Sequence, residues 1–457
     1  MKPENLSDIV GSDKQHLWHH LTQHKPMQES TDPMVIVEGK GMRVKDINGK
    51  EYLDAVSGGV WTVNVGYGRE RIADAVRDQI AKMCYFANSA GNIPGAQFAE
   101  MLIDKMPGLS RVYYANSGSE ANEKGFKLVR QLAALKNDGK KHKVLYRDRD
   151  YHGTTITTLS AGGQSQRKDQ YGPFTPGFVE VPHCLAYRDP RGDDPDYGVL
   201  AAKDIEKIIL DEDPDTVGAL CIEPITAGGG VIPPPEGYME TVDEICKKYG
   251  VLIHIDEVVC GMGRTGKWFG YQHYGIKPDM VSMAKGVASG YAAISVLATT
   301  EALFQEFLAE PADQLHYFRD ISTFGGCAGG PAAAVENMKI IEEENLLDNV
   351  IKQGDYCLER LQELMDKHEV IGQVRGKGLF LGAELVADRK TREPLDEGKV
   401  AGVAADCLKQ GVMIGRTNRS LPGLNNTLCL SPALICTKDD IDEIITAIDN
   451  ALGNLQL

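Results

Sequence analysis

The chain of 457 residues lacks several features that mark common functional classes. Its 49 lysine and arginine residues are outnumbered by 65 aspartate and glutamate residues, which gives a net charge of −16. Clustered cations are needed to bind nucleic-acid phosphates or an acidic membrane surface, so this balance argues against both. No apolar run approaches the ~18 residues that span a bilayer, and residues 1–8 lack the apolar stretch of a secretion signal. We therefore expect a cytoplasmic protein.

The ten cysteines are scattered along the chain. They form no Cys-x-x-Cys pair and no histidine–cysteine cluster with the spacing of a metal site. Such cysteines are typical of small buried residues in a reducing compartment. The sequence therefore predicts reduced cysteines and no metal.

Short apolar runs alternate with helical patterns from about residue 60 to residue 330. This alternation predicts an α/β fold whose mostly parallel sheet is covered by helices. Beyond that point the pattern changes to two long helices at 332–347 and 350–367, a few strands and a final helix from about Asp439. We predict a large domain (60–330) and a small α+β domain that combines an N-terminal segment (1–59) with a C-terminal part (331–457).

Two of the predicted strands end in an acid and an amine. The run 251–255 leads into Asp256 and Glu257, and the run 279–284 leads into Lys285. Ligands of an open parallel sheet bind beyond the carboxyl ends of its strands, so the two groups suit one site. An amine that forms an imine and a carboxylate that keeps a pyridine nitrogen protonated are what pyridoxal 5′-phosphate requires. Taken singly, the Asp-Glu pair is also compatible with a helix N-cap and Lys285 with a solvated side chain.

The other strand ends carry further polar groups. The run 111–115 leads into Ser117, Gly118 and Ser119 before a helical pattern, which predicts a phosphate site at a helix N-terminus or an ordinary serine N-cap. The run 143–146 leads towards Tyr151, whose ring could stack on a cofactor, and the run 217–222 ends in Glu223. Glu223 could hold an arginine or a substrate ammonium group, or serve as a structural cap.

With these motifs in order, the chain resembles the class III, or ω-amino acid, aminotransferases of fold type I. The resemblance runs from about Tyr52 to the C-terminus and rests on separated motifs rather than on one. They are Ser117-Gly-Ser-Glu-Ala-Asn122, Tyr151-His-Gly153, Glu223-Pro224, Ile255-Asp-Glu-Val258 with Gly263-Arg-Thr-Gly266, Lys285-Gly286 and Thr323-Phe324. The resemblance implies a mostly parallel seven-stranded sheet, a pyridoxal phosphate cofactor and a homodimer with shared active sites.

The resemblance also implies roles for individual residues. Lys285 would be the Schiff-base lysine and proton shuttle, and Asp256 would pair with the ring nitrogen. The remaining cofactor contacts would come from residues of the loops around it: Ser117, Gly118 and Ser119 at the phosphate, Tyr151 and Val258 on the two ring faces, His152 and Glu223 nearby, and Thr323 from the neighbouring subunit. His152 is expected to pack or hydrogen-bond rather than act as a general base.

For the substrates, the resemblance implies contacts from Trp61, Tyr151 and Arg416, with the arginine binding a carboxylate or a sulfonate. The segment 16–20 and the wording of the motifs are most similar to class members that use taurine and pyruvate and release sulfoacetaldehyde and L-alanine. Class members that use β-alanine, other ω-amino acids or plain amines share the cofactor motifs, so these donors stay open, as does a same-fold aminomutase. Arg419, three residues beyond Arg416, is interpreted as a solvated loop charge in preference to a second anion ligand.

Overall fold

The computed structural model describes residues 6–456. The described part of the chain starts with two short helices, a three-stranded meander and two further helices. Their bounds are α1 (Leu6–His16), α2 (His24–Glu29), β1 (Ile36–Lys40), β2 (Arg43–Asp46), β3 (Glu51–Asp54), α3 (Glu70–Lys82) and α4 (Ile93–Asp104).

The middle of the chain alternates strands and helices, as the sequence predicts. The bounds are β4 (Arg111–Ala115), α5 (Gly118–Lys136), β5 (Lys143–Arg147), α6 (Ile156–Ser160), α7 (Ser165–Lys168), β6 (Phe178–Val181), α8 (Tyr197–Asp211), β7 (Val217–Ile222), α9 (Tyr238–Tyr249), β8 (Leu252–Asp256), β9 (Met280–Met283), β10 (Ser295–Thr299) and α10 (Glu301–Gln305).

The last part of the chain is mixed helix and strand. It consists of α11 (Gly329–Glu343), α12 (Leu346–Lys367), β11 (Ile371–Gly376), β12 (Leu381–Asp388), β13 (Glu393–Pro394), α13 (Glu397–Lys409), β14 (Val412–Met413), β15 (Gly415–Arg416), β16 (Thr427–Leu430) and α14 (Lys438–Gly453). The two long helices lie within a few residues of the predicted ranges. Asn345 separates them in the left-handed conformation, with φ of 51°.

Seven strands form the large sheet, in the order β4-β10-β9-β8-β7-β5-β6. All of its pairs are parallel except those of β10, which runs against both β4 and β9. The expected mostly parallel seven-stranded sheet is therefore confirmed. Every residue of β7 is buried, because helices cover the sheet and a parallel strand then needs apolar side chains on both faces.

Two smaller sheets use strands from outside residues 60–330. One has the order β1-β2-β3-β14 and so joins the N-terminal meander to a strand near the C-terminus, and the other has the order β11-β12-β16-β15, with β13 paired to β12. This pairing accords with the expected union of the two ends of the chain in a small domain, although the boundaries at residues 60 and 331 stay predictions. No helix in residues 6–456 is both long enough and apolar enough to cross a membrane.

Candidate active site

The fold brings the carboxyl ends of β4, β5, β7, β8 and β9 to the same edge of the large sheet. β10 is antiparallel to both of its neighbours, so β4 runs in the same direction as β9. The loops that follow these five strands carry the polar groups singled out in the sequence. They therefore lie side by side although they are spread over 170 positions of the chain, from Asn116 to Lys285.

Asp256, the last residue of β8, is 2% exposed and accepts three hydrogen bonds. The donors are the Val258 N–H to Oδ1 (3.0 Å), and Asn122 Nδ2 (2.8 Å) and His152 Nδ1 (2.8 Å) to Oδ2. Burial acts to raise the pKa of Asp256, but His152 and these other donors outweigh it and hold the pKa below its usual range. The carboxylate is therefore kept ionised inside the protein.

Asn122, to which the sequence analysis assigned no role, contacts Asp256 directly. It lies one helical turn after Gly118 and Ser119 on α5, and its Nδ2 also donates to the carbonyl of His152 (2.7 Å). Its position four residues after Gly118 was the signal, because residues spaced by three or four share a helix face.

His152 lies against Asp256 and is fully enclosed, with 1% of its surface exposed. Burial lowers the pKa of the imidazole, but the Cys221 sulfur and the Asp256 carboxylate outweigh burial and raise the pKa above its usual value. The expectation of a hydrogen-bonding rather than a general-base residue agrees with this geometry.

Lys285 follows β9 and opens a short 3₁₀ turn, Lys285–Val287. Its backbone has φ of 41°, a left-handed conformation that is costly for a residue with a side chain and that is found most often at functional sites. Burial lowers the pKa of its amine, the charges of Asp256 and Glu223 oppose this shift, and the positive charge of Arg167 adds to it. A lysine with a lowered pKa is a better nucleophile and proton acceptor near neutral pH.

The N-terminus of α5 forms the next part of the site. Ser117 is its N-cap and accepts from the Glu120 N–H (3.2 Å), while the Ser119 hydroxyl oxygen accepts from the Thr154 N–H (3.0 Å). Within the described residues, the N–H groups of Gly118 and Ser119 have no acceptor. Unpaired N–H groups at the start of a 19-residue helix attract an anion.

Gly118 also lets this helix start lie close to Val258. A Cβ at position 118 would be 2.9 Å from Val258 Cγ2, a distance too short for two carbon atoms. Tyr151 lies on the loop after β5, half-buried, and the Arg167 guanidinium carbon stands 5.2 Å from its ring centroid. One face of the Tyr151 ring is thus covered by a cation.

Glu223 is buried beside this cluster, with 3% of its surface exposed. Its two oxygens accept from the backbone N–H groups of Tyr151 (2.9 Å) and Ala227 (3.0 Å). Burial, followed by the charges of Asp150 and Asp256, raises the pKa of Glu223 well above its usual value. Glu223 was expected to hold an arginine or a substrate ammonium group, or to serve as a structural cap. Its described side-chain contacts are those of a cap that fixes the Tyr151 loop.

The sequence placed Thr323 at the subunit boundary, and in the structure it is exposed at the start of the 3₁₀ turn Thr323–Gly326. Thr323 lines a surface cavity of about 540 Å³ together with Tyr85, Asn88, Tyr114 and Asp320. Large apolar side chains are exposed in this region: Phe86 (58%), Ile321 (85%) and Phe324 (65%).

Trp61 ends the irregular segment Ser57–Trp61, whose middle residues are not helical, and has φ of 60°. Its ring meets Phe380 edge to face at 6.1 Å, and its buried Nε1 has no hydrogen-bond partner among the described residues. A strained aromatic residue with a free donor is suited to receive a ligand.

Arg416 lies on β15 and is half-buried, with Nη1 3.3 Å from the carbonyl of Thr417. Arg419, interpreted from the sequence as a solvated loop charge, lies in the loop after β15. It is half-buried, has φ of 49°, and its Nη1 donates to the carbonyl of Leu21 at 2.5 Å. The N-terminal segment that supplies this carbonyl is distant in sequence, so no local pattern indicated the contact.

Comparison with known proteins gives one consistent family. The family model described as Aminotransferase class-III matches residues 26–452. A hypotaurine/taurine–pyruvate aminotransferase of Paracoccus denitrificans is 66% identical over 452 residues, covering 99% of this chain and 98% of the relative. A taurine–pyruvate aminotransferase of Rhodobacter capsulatus is 61% identical over 453 residues, covering 99% and 98%. The crystal structure of a Bacillus anthracis aminotransferase superposes with a TM-score of 0.94 at 39% identity and covers 99% of both chains.

Proposed function

Because the chain belongs to the class III aminotransferases, we propose that it transfers the amino group of taurine to pyruvate, giving sulfoacetaldehyde and L-alanine. The observation that carries the proposal is the 60–66% full-length identity to relatives that are named for taurine and pyruvate. The half-buried Arg416, whose hydrogen bond goes to a neutral carbonyl, supports an anionic substrate.

Class III aminotransferases depend on pyridoxal 5′-phosphate, and Asp256 offers a test of whether this chain accommodates it. A carboxylate has about four acceptor positions, and the three hydrogen bonds to Asp256 leave one for a protonated ring nitrogen. The lowered pKa of Asp256 supports the same assignment, because an ionised carboxylate is needed there. When bound, the cofactor supplies an electron sink for the carbanion formed at the amino-bearing carbon.

Lys285 is assigned two tasks. Its amine would hold the cofactor covalently. Once free of the cofactor, the amine would accept the proton that leaves the amino-bearing carbon of the substrate and return that proton later in the reaction. The pKa of Lys285, lowered by burial, supports the second task, because it favours the neutral amine that can accept that proton. The amino group is exchanged in two half-reactions, so we propose ping-pong kinetics.

The remaining cofactor contacts are assigned from the same geometry. The unpaired N–H groups of Gly118 and Ser119, with the hydroxyls of Ser117 and Ser119, would bind the phosphate. Tyr151 and Val258 would contact the ring faces, while His152 and Glu223 hold Asp256 and the Tyr151 loop in place. Asn122 joins them as a residue that orients Asp256.

Trp61, Tyr151 and Arg416 are assigned to the substrates. The free indole N–H of Trp61 can donate to a substrate anion or carbonyl, and its ring with Phe380 supplies an apolar wall. Arg416 would bind the carboxylate of pyruvate through its guanidinium fork.

We also propose a homodimer in which Thr323 reaches the phosphate of the second subunit. The exposed Phe86, Ile321 and Phe324 beside the Thr323 cavity support an interface, since monomeric proteins rarely expose such a patch. A cytoplasmic location is supported by the ten cysteines, all unpaired and mostly buried.

The test uses the purified, cofactor-loaded protein. Taurine alone should remove the long-wavelength absorbance of the bound cofactor, and pyruvate should then restore it with release of one equivalent of L-alanine. Lys285→Ala is the matched control and should show neither change. A response to β-alanine or to a plain amine but not to taurine would keep the class and replace the donor, while discharge without any keto acid would indicate an aminomutase. Sedimentation of the same sample should give twice the mass of one chain.

A further inference from the structure

Three guanidinium groups gather on the substrate side of the site in a chain that carries a net charge of −16. They belong to Arg167, Arg416 and Arg419. Within residues 9–456, the hydrogen bonds of these groups go to neutral oxygens, and none of the three forms an ion pair with a carboxylate. Like charges repel, so a cluster of this kind is stabilised by an anion that binds among them.

The fold builds this cluster from two separate segments. Helix α7 is tied to the loop after Arg416 by the Gln166 N–H, which donates to the carbonyl of Ser420 (3.1 Å), and by Asn425 Nδ2, which donates to Gln166 Oε1 (2.8 Å). Arg167 Nη2 stands 3.3 Å from the carbonyl of Asn418, the residue before Arg419. The arginines on the two segments are therefore held near one another by backbone and amide contacts.

Arg167 is the member of the cluster that faces the reacting groups. Its Nε donates to Gln164 Oε1 (2.7 Å) and its guanidinium covers one face of the Tyr151 ring. The positive charge of Arg167 contributes to the lowered pKa of Lys285, so the two cations interact. Nη1 of Arg167 makes no hydrogen bond to the described residues and is free to donate.

Glu397 is a carboxylate whose charge affects Arg416, but its hydrogen bonds go to other residues. Its charge opposes the lowering of the Arg416 pKa by burial, but its Oε1 accepts from the Gly423 N–H and from Asn425 Nδ2, both at 2.9 Å. Burial is the main reason why the pKa values of Arg167 and Arg416 are lowered, and the charge of Arg419 adds to both shifts. Both arginines thus lie within electrostatic reach of Arg419.

We propose that Arg167 is a specificity residue for the amino donor, and that it binds a sulfonate together with Arg416. A sulfonate carries three oxygens arranged around sulfur and accepts donors from several directions, whereas a planar carboxylate is satisfied by one guanidinium fork. A second guanidinium above Tyr151 therefore favours a short amino sulfonate over the corresponding amino carboxylate. This inference rests on the proposed function and names the residue that makes the donor choice.

The test separates binding from turnover by using unreactive analogues in which a hydroxyl replaces the amine. Calorimetric titration of the cofactor-loaded enzyme with 2-hydroxyethanesulfonate should give an affinity that falls about 10- to 100-fold in Arg167→Gln, the loss expected for a hydrogen bond to a charged group. The affinity for 3-hydroxypropanoate should change less than about threefold, because Arg416 still binds a carboxylate. KM for taurine should rise in parallel with the loss of sulfonate affinity.

Lys168→Gln is the matched control, because it removes one positive charge from the same turn. Lys168 Nζ contacts the Tyr146 hydroxyl at 3.0 Å and takes no part in the cluster, so sulfonate affinity should stay unchanged. Arg167→Lys, which keeps the charge but not the fork, should fall between wild type and Arg167→Gln and guards against a folding defect in the glutamine variant.

The outcomes distinguish this inference from the proposed function. Retained sulfonate affinity in both Arg167 variants, in an enzyme that uses taurine, overturns the inference and leaves the function intact. An equal loss for sulfonate and carboxylate analogues also overturns it, since Arg167 would then act as a general anion ligand. A wild-type enzyme that neither binds 2-hydroxyethanesulfonate nor accepts taurine overturns both.

Discussion

The two sides of the site differ in how their charged side chains are paired. On the side of Asp256, the carboxylate is buried and accepts three hydrogen bonds from groups of the same chain. On the side of Arg416, the hydrogen bonds of three guanidinium groups go only to neutral oxygens within the described residues. The charge of Asp256 is thus balanced by donors of the protein itself, whereas the charges of the three arginines are not balanced by a carboxylate of the described residues.

This difference matches what each half has to bind. A cofactor that stays with the enzyme through every turnover is best met by groups already held in place, because no energy is then lost in arranging them during the reaction. The proposed substrates, a sulfonate and a carboxylate, would alternate in one pocket and would need donors that can bind either. We therefore assign substrate choice to the arginine half.

The largest effect is expected from a substitution of Asp256. Asp256→Asn removes the charge and turns an amide N–H towards a neighbour that is itself a donor, either His152 or Asn122 on one side or the Val258 N–H on the other. We expect kcat to fall by at least about 10²–10³-fold, the loss typical of a missing preorganised electrostatic partner. Steady-state rates with taurine and pyruvate measure it.

Asp46→Asn is the control for that change. Asp46 is also a buried aspartate, bonded to the Tyr52 hydroxyl (2.9 Å), but it lies at the end of β2 outside the site. Its variant should lose stability and keep kcat. Equal losses of kcat in the two variants would mean that burial of a carboxylate, rather than its contact with the cofactor, explains the effect.

The strand that carries Asp256 also carries a histidine whose ionisation is suppressed. His254 is fully buried, with Nε2 2.5 Å from Ser282 Oγ, and its ring fills the space left by Gly125, where a Cβ would collide with it. Burial, with a smaller contribution from His152, lowers its pKa to about 4. Between pH 6.5 and pH 4, His254 is therefore protonated in the unfolded chain and largely neutral in the folded chain.

The sign of the pH effect follows from that difference. His254 contributes stability that is present above pH 6.5 and is lost as the pH falls towards 4, by on the order of 3 kcal/mol in total. His254→Gln should therefore cost stability at pH 7.5, and this cost should shrink by about that amount at pH 4. Denaturant midpoints at several pH values measure it, with the exposed His20→Gln as a control that should show no such trend. A cost that is the same at every pH would contradict the assignment of a neutral buried imidazole.

Much of the cofactor half could be predicted from the sequence. Asp256 and Lys285 each follow a buried apolar run, and the carboxyl ends of parallel strands meet at one edge, so local pattern and topology point to the same place. The direction of β10 could not be predicted, because Ser295–Thr299 is a short apolar run like those of the parallel strands, and only pairing between distant residues sets its direction.

The arginine half was harder to predict for a physical reason. Arg167 lies on a four-residue helix of polar residues, and nothing in that segment distinguishes it from a surface turn. Its place beside Tyr151 depends on contacts between α7 and the loop at 418–425. Arg419 was interpreted as a loop charge for the same reason, since the Leu21 carbonyl that receives its hydrogen bond lies at the other end of the chain. Long-range contacts between irregular segments leave no periodic signal in the sequence.

The smallest effect is expected from Arg416→Gln, and it distinguishes Arg416 from Arg167. Arg416→Gln should raise KM for pyruvate about 10-fold, the lower end of the range for a charge-assisted hydrogen bond, with kcat at saturation largely kept. Unlike the Arg167 variants, it should also weaken every carboxylate donor, because Arg416 is assigned to both substrates. In the double variant Arg167→Gln, Arg416→Gln, the losses for taurine should fail to add, since two guanidinium groups that share one sulfonate are coupled. Strictly additive losses would mean that Arg167 and Arg416 bind separate anions. The arginine half would then hold two independent anion sites instead of one shared sulfonate site.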